Sequence, residues 1–348
     1  YKRQALLGFS EGAWAAIPEG SATGGAILSI GTGTSSAYGA GAMSIGHNAQ
    51  AKVNGALAIA PNSQSHTTVS NGNNAIAIGV NLRADGSKAI GIGADTNVTG
   101  ISAIAIGNND SGRMANQGVN GNGAIGVGSN LTVRGNNAIA VGTESQAKAN
   151  DTVAVGTGAQ ATLANSIAIG KNSFARGLYS GVKGDGRAIA IGFNTQAIGE
   201  DSVAIGSGVD ANAAALAQNR QSVALGWQAR ATGTTQAVAI GPEAYASGAQ
   251  STSIGNNTRA TGDSSIAIGG DDWDDAKKSV NTQYKALTGS DMSGGYQGTT
   301  SATAAVAVGV KAQATGALST AFGPGTIASG LGASAFGVGA SATCLLYT

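Results

Sequence analysis

The residues best equipped for chemistry in this sequence are few and poorly assembled. Asp271, Asp272, Asp274 and Asp275 form its densest carboxylate cluster, and a hard cation such as Ca²⁺ prefers oxygen ligands of that kind. Their spacing follows no EF-hand or RTX pattern, and acids at the start of a helix are explained as well by its dipole. His47 and His66 have no repeated carboxylate or Ser partner from which acid–base or nucleophilic catalysis could be built. Cys344 is the single cysteine, which excludes an intrachain disulfide and any CxxC metal site. Gly121, Gly123 and Gly126 spell a dinucleotide-binding fingerprint, but that fingerprint needs a strand before it and a helix after it. With Gly at 57 of 348 residues, such a match arises by chance. The sequence therefore predicts a non-enzymatic chain with no catalytic, cofactor or metal site.

Binding chemistry has better candidates. Trp273, Tyr284 and Tyr296 are aromatics of the type that anchors ligands, although pinning their own segment to the rest of the molecule explains them too. Asn74, Asn137, Asn165 and Asp201, with Ser265, are polar positions that recur at the start of a repeated hexapeptide and are expected to face outward. A long array of identical weak contacts binds a repetitive partner by multivalency. Asn and Ser are also ordinary turn residues.

The elements that must position these residues follow from the repeat itself. The hexapeptide Asn165-Ser166-Ile167-Ala168-Ile169-Gly170 has close variants at 74–79, 137–142, 201–206 and 264–269. Its closing glycines recur mostly at intervals of about 14 residues, as at Gly142, Gly156 and Gly170, and Ala60 stands in for one of them. A short fixed period over a whole chain specifies a solenoid whose repeats must stack to bury their apolar faces. The residues one and three before each glycine are aliphatic (Ile76 and Ile78, Val153 and Val155), and the period-2 alternation predicts a strand. The alternation reads as an aliphatic inner face. The Ala between them, as at Ala77 and Ala140, then lies on an outer face approached by another copy of the chain. The glycine supplies a turn, a second short Ala-x-Ala strand follows, and often a second glycine closes the rung. At about 4.8 Å per rung the stack is a rod on the order of 90 Å long.

Residues 26–340 carry the repeat, residues 1–25 read as a cap or an anchoring linker, and residues 341–348 are a tail. Short polar or Gly-rich insertions, such as 108–118 and 178–186, read as surface bulges. Residues 271–298 differ. Trp273, Ala276, Val280, Tyr284 and Leu287 fall at helical spacing, with Asp271 or Asp272 as N-cap, an Asp274–Lys278 pair and Gly289 as the stop. The stripe is expected to pack on the side of the rod, its own or a partner's. A net charge of +1 argues against nucleic acid, and no apolar run reaches the roughly 20 residues needed to span a bilayer. The chain begins at Tyr1 without an h-region and so reads as a mature product or an excised fragment.

The NSIAIG, NAIAIG and DSVAIG hexapeptides, alternating with AxAxG turns over roughly residues 26–340, resemble the YadA-like heads of trimeric autotransporter adhesins. The stretch GGDDWDDAKK…YKALTG also resembles insertions of such heads. The resemblance implies an all-β, left-handed parallel β-roll with one short helical insertion, assembled as a homotrimer. It implies a place on a bacterial cell surface, anchored in an outer membrane through other regions. It further implies attachment to host extracellular matrix proteins such as collagen, laminin or fibronectin, or to cells. A solenoid shaft of a phage or secreted fibre is the alternative. A solenoid hydrolase or lyase lacks its carboxylate-lined groove here. An ice-binding solenoid lacks a regular Thr row, since Thr232, Thr261 and Thr315 are too sparse.

Overall fold

Each repeat folds as one rung of two strands and two turns, because a strand that ends at a glycine can reverse within two or three residues. The computed structural model describes residues 21–22, 25, 28–31, 34–61, 67–108, 118–178, 186–210 and 213–344. The expected cap at 1–25 and the bulges at 108–118 and 178–186 lie largely outside the described residues, as do His66 and the end of the tail.

The hexapeptides form the longer strands, such as Ile139–Val141, Val153–Val155 and Ile167–Ile169, and the Ala-x-Ala segments form short ones, such as Gln146–Ala147 and Gln160–Ala161. Longer strands pair only with longer ones and short only with short, all in parallel: Ile139 with Val153, Val153 with Ile167, Gln146 with Gln160. Two parallel sheets therefore run the length of the rod, the short-strand sheet having 20 strands among the described residues. The molecule is an all-β parallel β-solenoid with one short helix.

The interior is made of alanine. Ala77, Ala84, Ala140, Ala147, Ala154, Ala161 and Ala168 are fully buried between the sheets. This inverts the expected orientation of the longer strands. Ile76, Ile78, Ile167 and Ile169 point outward, half-buried or exposed, and the Ala between them points in. The closed rung is so thin that a methyl group fills most of the positions between its sheets. Local exceptions show how tight that limit is. Where Gly91 replaces the inner Ala, Leu82 fills the space, and a Cβ on Gly91 would lie 2.6 Å from its Cδ2. Gly126 is matched in the same way by Val119, Leu131 and Val133. At these two positions a larger side chain takes up the volume that the missing methyl leaves. Ser265 is also interior rather than outward.

The strand-ending glycine is set by shape as well as torsion. Gly79 has φ 143°, and a Cβ there would lie 1.6 Å from the carbonyl oxygen of Gly93 in the next rung.

The insertion interrupts the chain but not the stack. Arg259 pairs with Thr300 and Ile266 with Val306 across it. Its helix spans Asp274–Thr288 and ends at Gly289, whose φ of 75° is left-handed and whose N–H reaches the Lys285 carbonyl. The start departs from expectation, since the N-cap position falls to Trp273, which makes no side-chain capping bond. Asp272 accepts the Asp274 N–H at 2.7 Å, whereas Asp271 is buried and takes the side-chain amides of Asn256 and Asn257. Lys278 pairs with Asp275 at 2.6 Å, one residue nearer than the expected Asp274. Of the apolar stripe, Trp273 is buried and Tyr284 half-buried, while Ala276, Val280 and Leu287 stay exposed. The helix thus contacts the rod along a narrower line than its periodicity suggests.

Candidate functional site

With the core filled by alanine, any function resides on the outside, which the rung geometry divides into rows. The first is the outer face of the longer strands. Ile92, Ile106, Ile169 and Ile205 are each about two-fifths exposed, and Phe322 and Phe336 more so. One or two aliphatic or aromatic side chains per rung make a continuous ribbon along the rod. Monomeric proteins seldom expose an apolar patch beyond a few hundred Å².

Two further rows occupy the turns. Five residues before the repeat glycine stands a residue in the left-handed region: Asn74 (φ 56°), Asn137 (54°), Asn165 (60°) and Asp201 (56°) belong to it. Asn and Asp tolerate that conformation best among residues with a Cβ, which is the local reason the hexapeptide so often starts with them. The structure stacks these four predicted residues in one column, one per rung, as it does Gln221, Gln236 and Gln250. Neighbours in the column bond along the rod axis. Asn137 Nδ2 donates to Asp151 at 3.1 Å, Gln250 to Gln236 at 3.1 Å and Gln236 to Gln221 at 3.0 Å. Arg187 bridges Asp201 and Glu200, and its hydrogen bond holds the Asp201 carboxyl below the usual carboxylate range against a small opposing effect of burial. A second left-handed column, two residues after the glycine, includes Asn81, Asp95, Asn172 and Asn194, again with amide ladders.

Two of the aromatic candidates sit together over the second column. Trp273 and Tyr284 meet edge to face with centroids 5.4 Å apart. Lys311 Nζ lies 5.0 Å from the Trp273 ring and donates to the Ser293 carbonyl, which the Trp273 indole also bonds. Beneath them the second column carries Gly325 and Gly339, where a Cβ would press on Trp273 and on Thr288. The pair holds the insertion to the rod, and Tyr296 stands apart, largely exposed.

The row that residue-by-residue reading missed is the outer face of the short strands. Its outward residue falls four positions after the repeat glycine and is commonly Gln or Thr, as at Gln146, Gln160 and Thr132. At Arg230, Tyr245 and Arg259 it changes character. Aligning the repeats on Gly226, Gly241 and Gly255 would have brought these three into one column. They border an open concavity of roughly 420 Å³ with Gln228, Glu243, Asn257 and Ala213.

The chain has matches in two comparisons with known proteins. The family described as "YadA head domain repeat (2 copies)" matches residues 37–59, 84–109, 134–159, 147–173, 186–208, 217–244, 246–271 and 301–326, together more than half of the chain. A solved structure titled as the collagen-binding domain of the Yersinia adhesin YadA is 25% identical, with 41% of this chain and 71% of that chain covered and a TM-score of 0.31. No curated protein matches.

Proposed function

The chain belongs to the YadA head family, and from that premise we propose that it is the non-enzymatic head of a cell-surface adhesin. Three copies associate side by side, and the assembled rod attaches to host extracellular matrix proteins, to cells or to other surfaces. The observation that carries this reading is the division of the rod into an aliphatic ribbon on one sheet and polar rows on the other. A ribbon of Ile and Val along a whole rod calls for burial, and a second copy offers a ribbon of the same length and rung spacing. Covering it leaves the short-strand sheet and both turn columns outward, where repeated weak contacts act together on a repetitive partner.

The test joins the chain to a C-terminal trimeric coiled coil. Its mass is measured by sedimentation, and its binding to immobilised collagen, laminin and fibronectin is compared with that of a variant lacking residues 271–298. A trimer with saturable binding that survives the deletion places recognition on the repeated rows. Binding lost with an intact trimer moves it to Trp273, Tyr284 and Tyr296. A trimer that binds none of the three matrix proteins would overturn the matrix-adhesin reading.

A further inference from the structure

Residues 272–298 interrupt the repeat at a single point of one rung. Asp271 stands two residues after Gly269, the place that Asn257 takes after Gly255. Thr299 resumes the rung, its hydroxyl donating to the Gly309 carbonyl at 2.6 Å as Thr195 donates to Gly206 at 2.7 Å. At its root the insertion is tied backward, since the buried Asp271 takes the side-chain amides of Asn256 and Asn257 from the preceding rung. Beyond the root it reaches forward. Lys311, Gly325 and Gly339 hold the place of Asp271 in the next three rungs. Lys311 lies against the Trp273 ring. A Cβ on Gly325 would lie 2.8 Å from Trp273 Cη2 and 3.1 Å from the Tyr284 hydroxyl. One on Gly339 would lie 2.5 Å from Thr288 Cγ2 and 3.3 Å from the same hydroxyl. Elsewhere this place commonly carries a side chain, as at Asn172, Asn194, Gln228 and Glu243. The two glycines form a notch that Trp273, Tyr284 and Thr288 fill.

We infer that the insertion is a clamp that makes the rungs from Gly255 to Gly339 open as one unit. In the strand pairing each rung meets only its neighbours: Val306 pairs with Ile266 and Thr320, and Thr320 with Val306 and Ser334. The stability of such a stack is a sum of nearest-neighbour contacts, so its rungs can come apart one at a time. Trp273, Tyr284 and Thr288 add contacts of longer range. They are rooted in the rung of Gly269 and pack on Gly325 and Gly339, two and three rungs further on. Opening the rung of Gly323 therefore uncovers an indole and a phenol in addition to breaking two strand pairings, and aromatic side chains of that size dominate local packing energy. Nor can the rung of Gly337 leave without exposing Thr288 and the Tyr284 hydroxyl. The coupling lies within one chain and is independent of what the rod binds.

The experiment follows amide hydrogen exchange of the full chain in rising, sub-denaturing urea. Its variants are a deletion of residues 272–298, Trp273→Ala, Gly325→Asn and, as a control, Gly158→Asn. The deletion joins Asp271 to Thr299 in the ordinary spacing of a rung, as Asn257 joins Thr258. In the parent, the slow amides of Val306–Val308, Thr320–Phe322 and Ser334–Phe336 should converge on one urea-dependent rate. In the deletion variant they should separate, with rates rising stepwise towards Phe336. Trp273→Ala should speed exchange in the last two of these strands by about tenfold or more. Gly325→Asn should speed exchange when the insertion is present and leave it unchanged or slower when it is deleted, because Asn tolerates a left-handed turn once Trp273 is gone. At Gly158 a Cβ would meet chiefly the end of the Asn172 side chain, so Gly158→Asn should have the same effect in both backgrounds. Circular dichroism and an unchanged sedimentation mass show that the variants fold. An exchange pattern that the deletion leaves intact, or an effect of Gly325→Asn with the same sign in both backgrounds, would overturn the inference. So would coupling that fades on dilution, which would place the clamp between copies of the chain.

Discussion

The two sheets of the rod share one core and differ only outside. The strand Ile167–Ile169 and the short strand Gln160–Ala161 both turn alanine inward, fully buried at Ala168 and Ala161. Outward, the first presents Ile167 and Ile169 and the second Gln160. The interior therefore carries the shape of the rung, and the exterior carries the choice of partner. Alanine is what a thin rung can enclose, so the larger apolar side chains, which in most folds form the core, are free to form an interface.

This comparison is most sharply broken from within one strand. Ala168 is in register with Ala154 and Ala190, and Ala168→Leu would force three methylene-scale groups into a space bounded by methyls. Overpacking in a closed interior costs about 3 kcal/mol or more, so denaturant unfolding should show a large drop in midpoint or loss of the folded form.

The next effect lies two atoms of backbone away on the other face. Ile167→Ser with Ile169→Ser should leave the fold of a single rod nearly unchanged and weaken self-association. Sedimentation equilibrium should show that loss, while Gln146→Ser with Gln160→Ser on the opposite face should leave association alone. Equal effects of the two pairs would erase the distinction between the sheets.

A third measurement sharpens the statement that Leu82 takes up the volume missing at Gly91. Gly91→Ala should cost about 1–3 kcal/mol because its Cβ meets Leu82, and Leu82→Ala about 2–5 kcal/mol for the cavity it leaves. The double variant restores the ordinary Ala-filled rung, so its loss should be clearly smaller than the sum, read from a double-mutant cycle.

The smallest effect concerns the turn columns. Asp201 has its folded pKa lowered, chiefly by the Arg187 hydrogen bond. Its contribution is therefore fully present above the unfolded carboxylate value of about 3.9 and is lost as pH falls through the lower folded value. The pair is solvent-exposed, so the change amounts to a few tenths of a kcal/mol. Urea midpoints at pH 6 and pH 3 should differ slightly less in Arg187→Gln than in the parent.

Much of this was written in local residue types. The hexapeptide period specified stacked rungs, the strand-ending glycine announced a turn, and Gly289 marked the helix end. The Asn at the head of the hexapeptide signalled a turn, although its left-handed torsion became explicit only in three dimensions. Ser265 was misplaced because a hydroxyl next to a turn is compatible with either side of a strand. The Asp275–Lys278 pairing was hidden because i,i+3 and i,i+4 partners are both within reach on a helix. The Arg230–Tyr245–Arg259 row was obscured by unequal repeat lengths, which place its members 15 and 14 residues apart.

The sequence by itself determined the period, the two strands per rung, the turns and the one helical interruption, since these follow from torsional preference and alternation over a few residues. Only the tertiary structure decided which face is inside. Alternation defines two faces and is blind to their distance from the opposite sheet, and hydrophobicity alone would place isoleucine in the core. Closing a chain of about 14 residues on itself leaves room for little more than a methyl group at most interior positions. That steric limit turned the aliphatic ribbon outward, aligned the polar columns along the turns and brought two arginines and a tyrosine into one row.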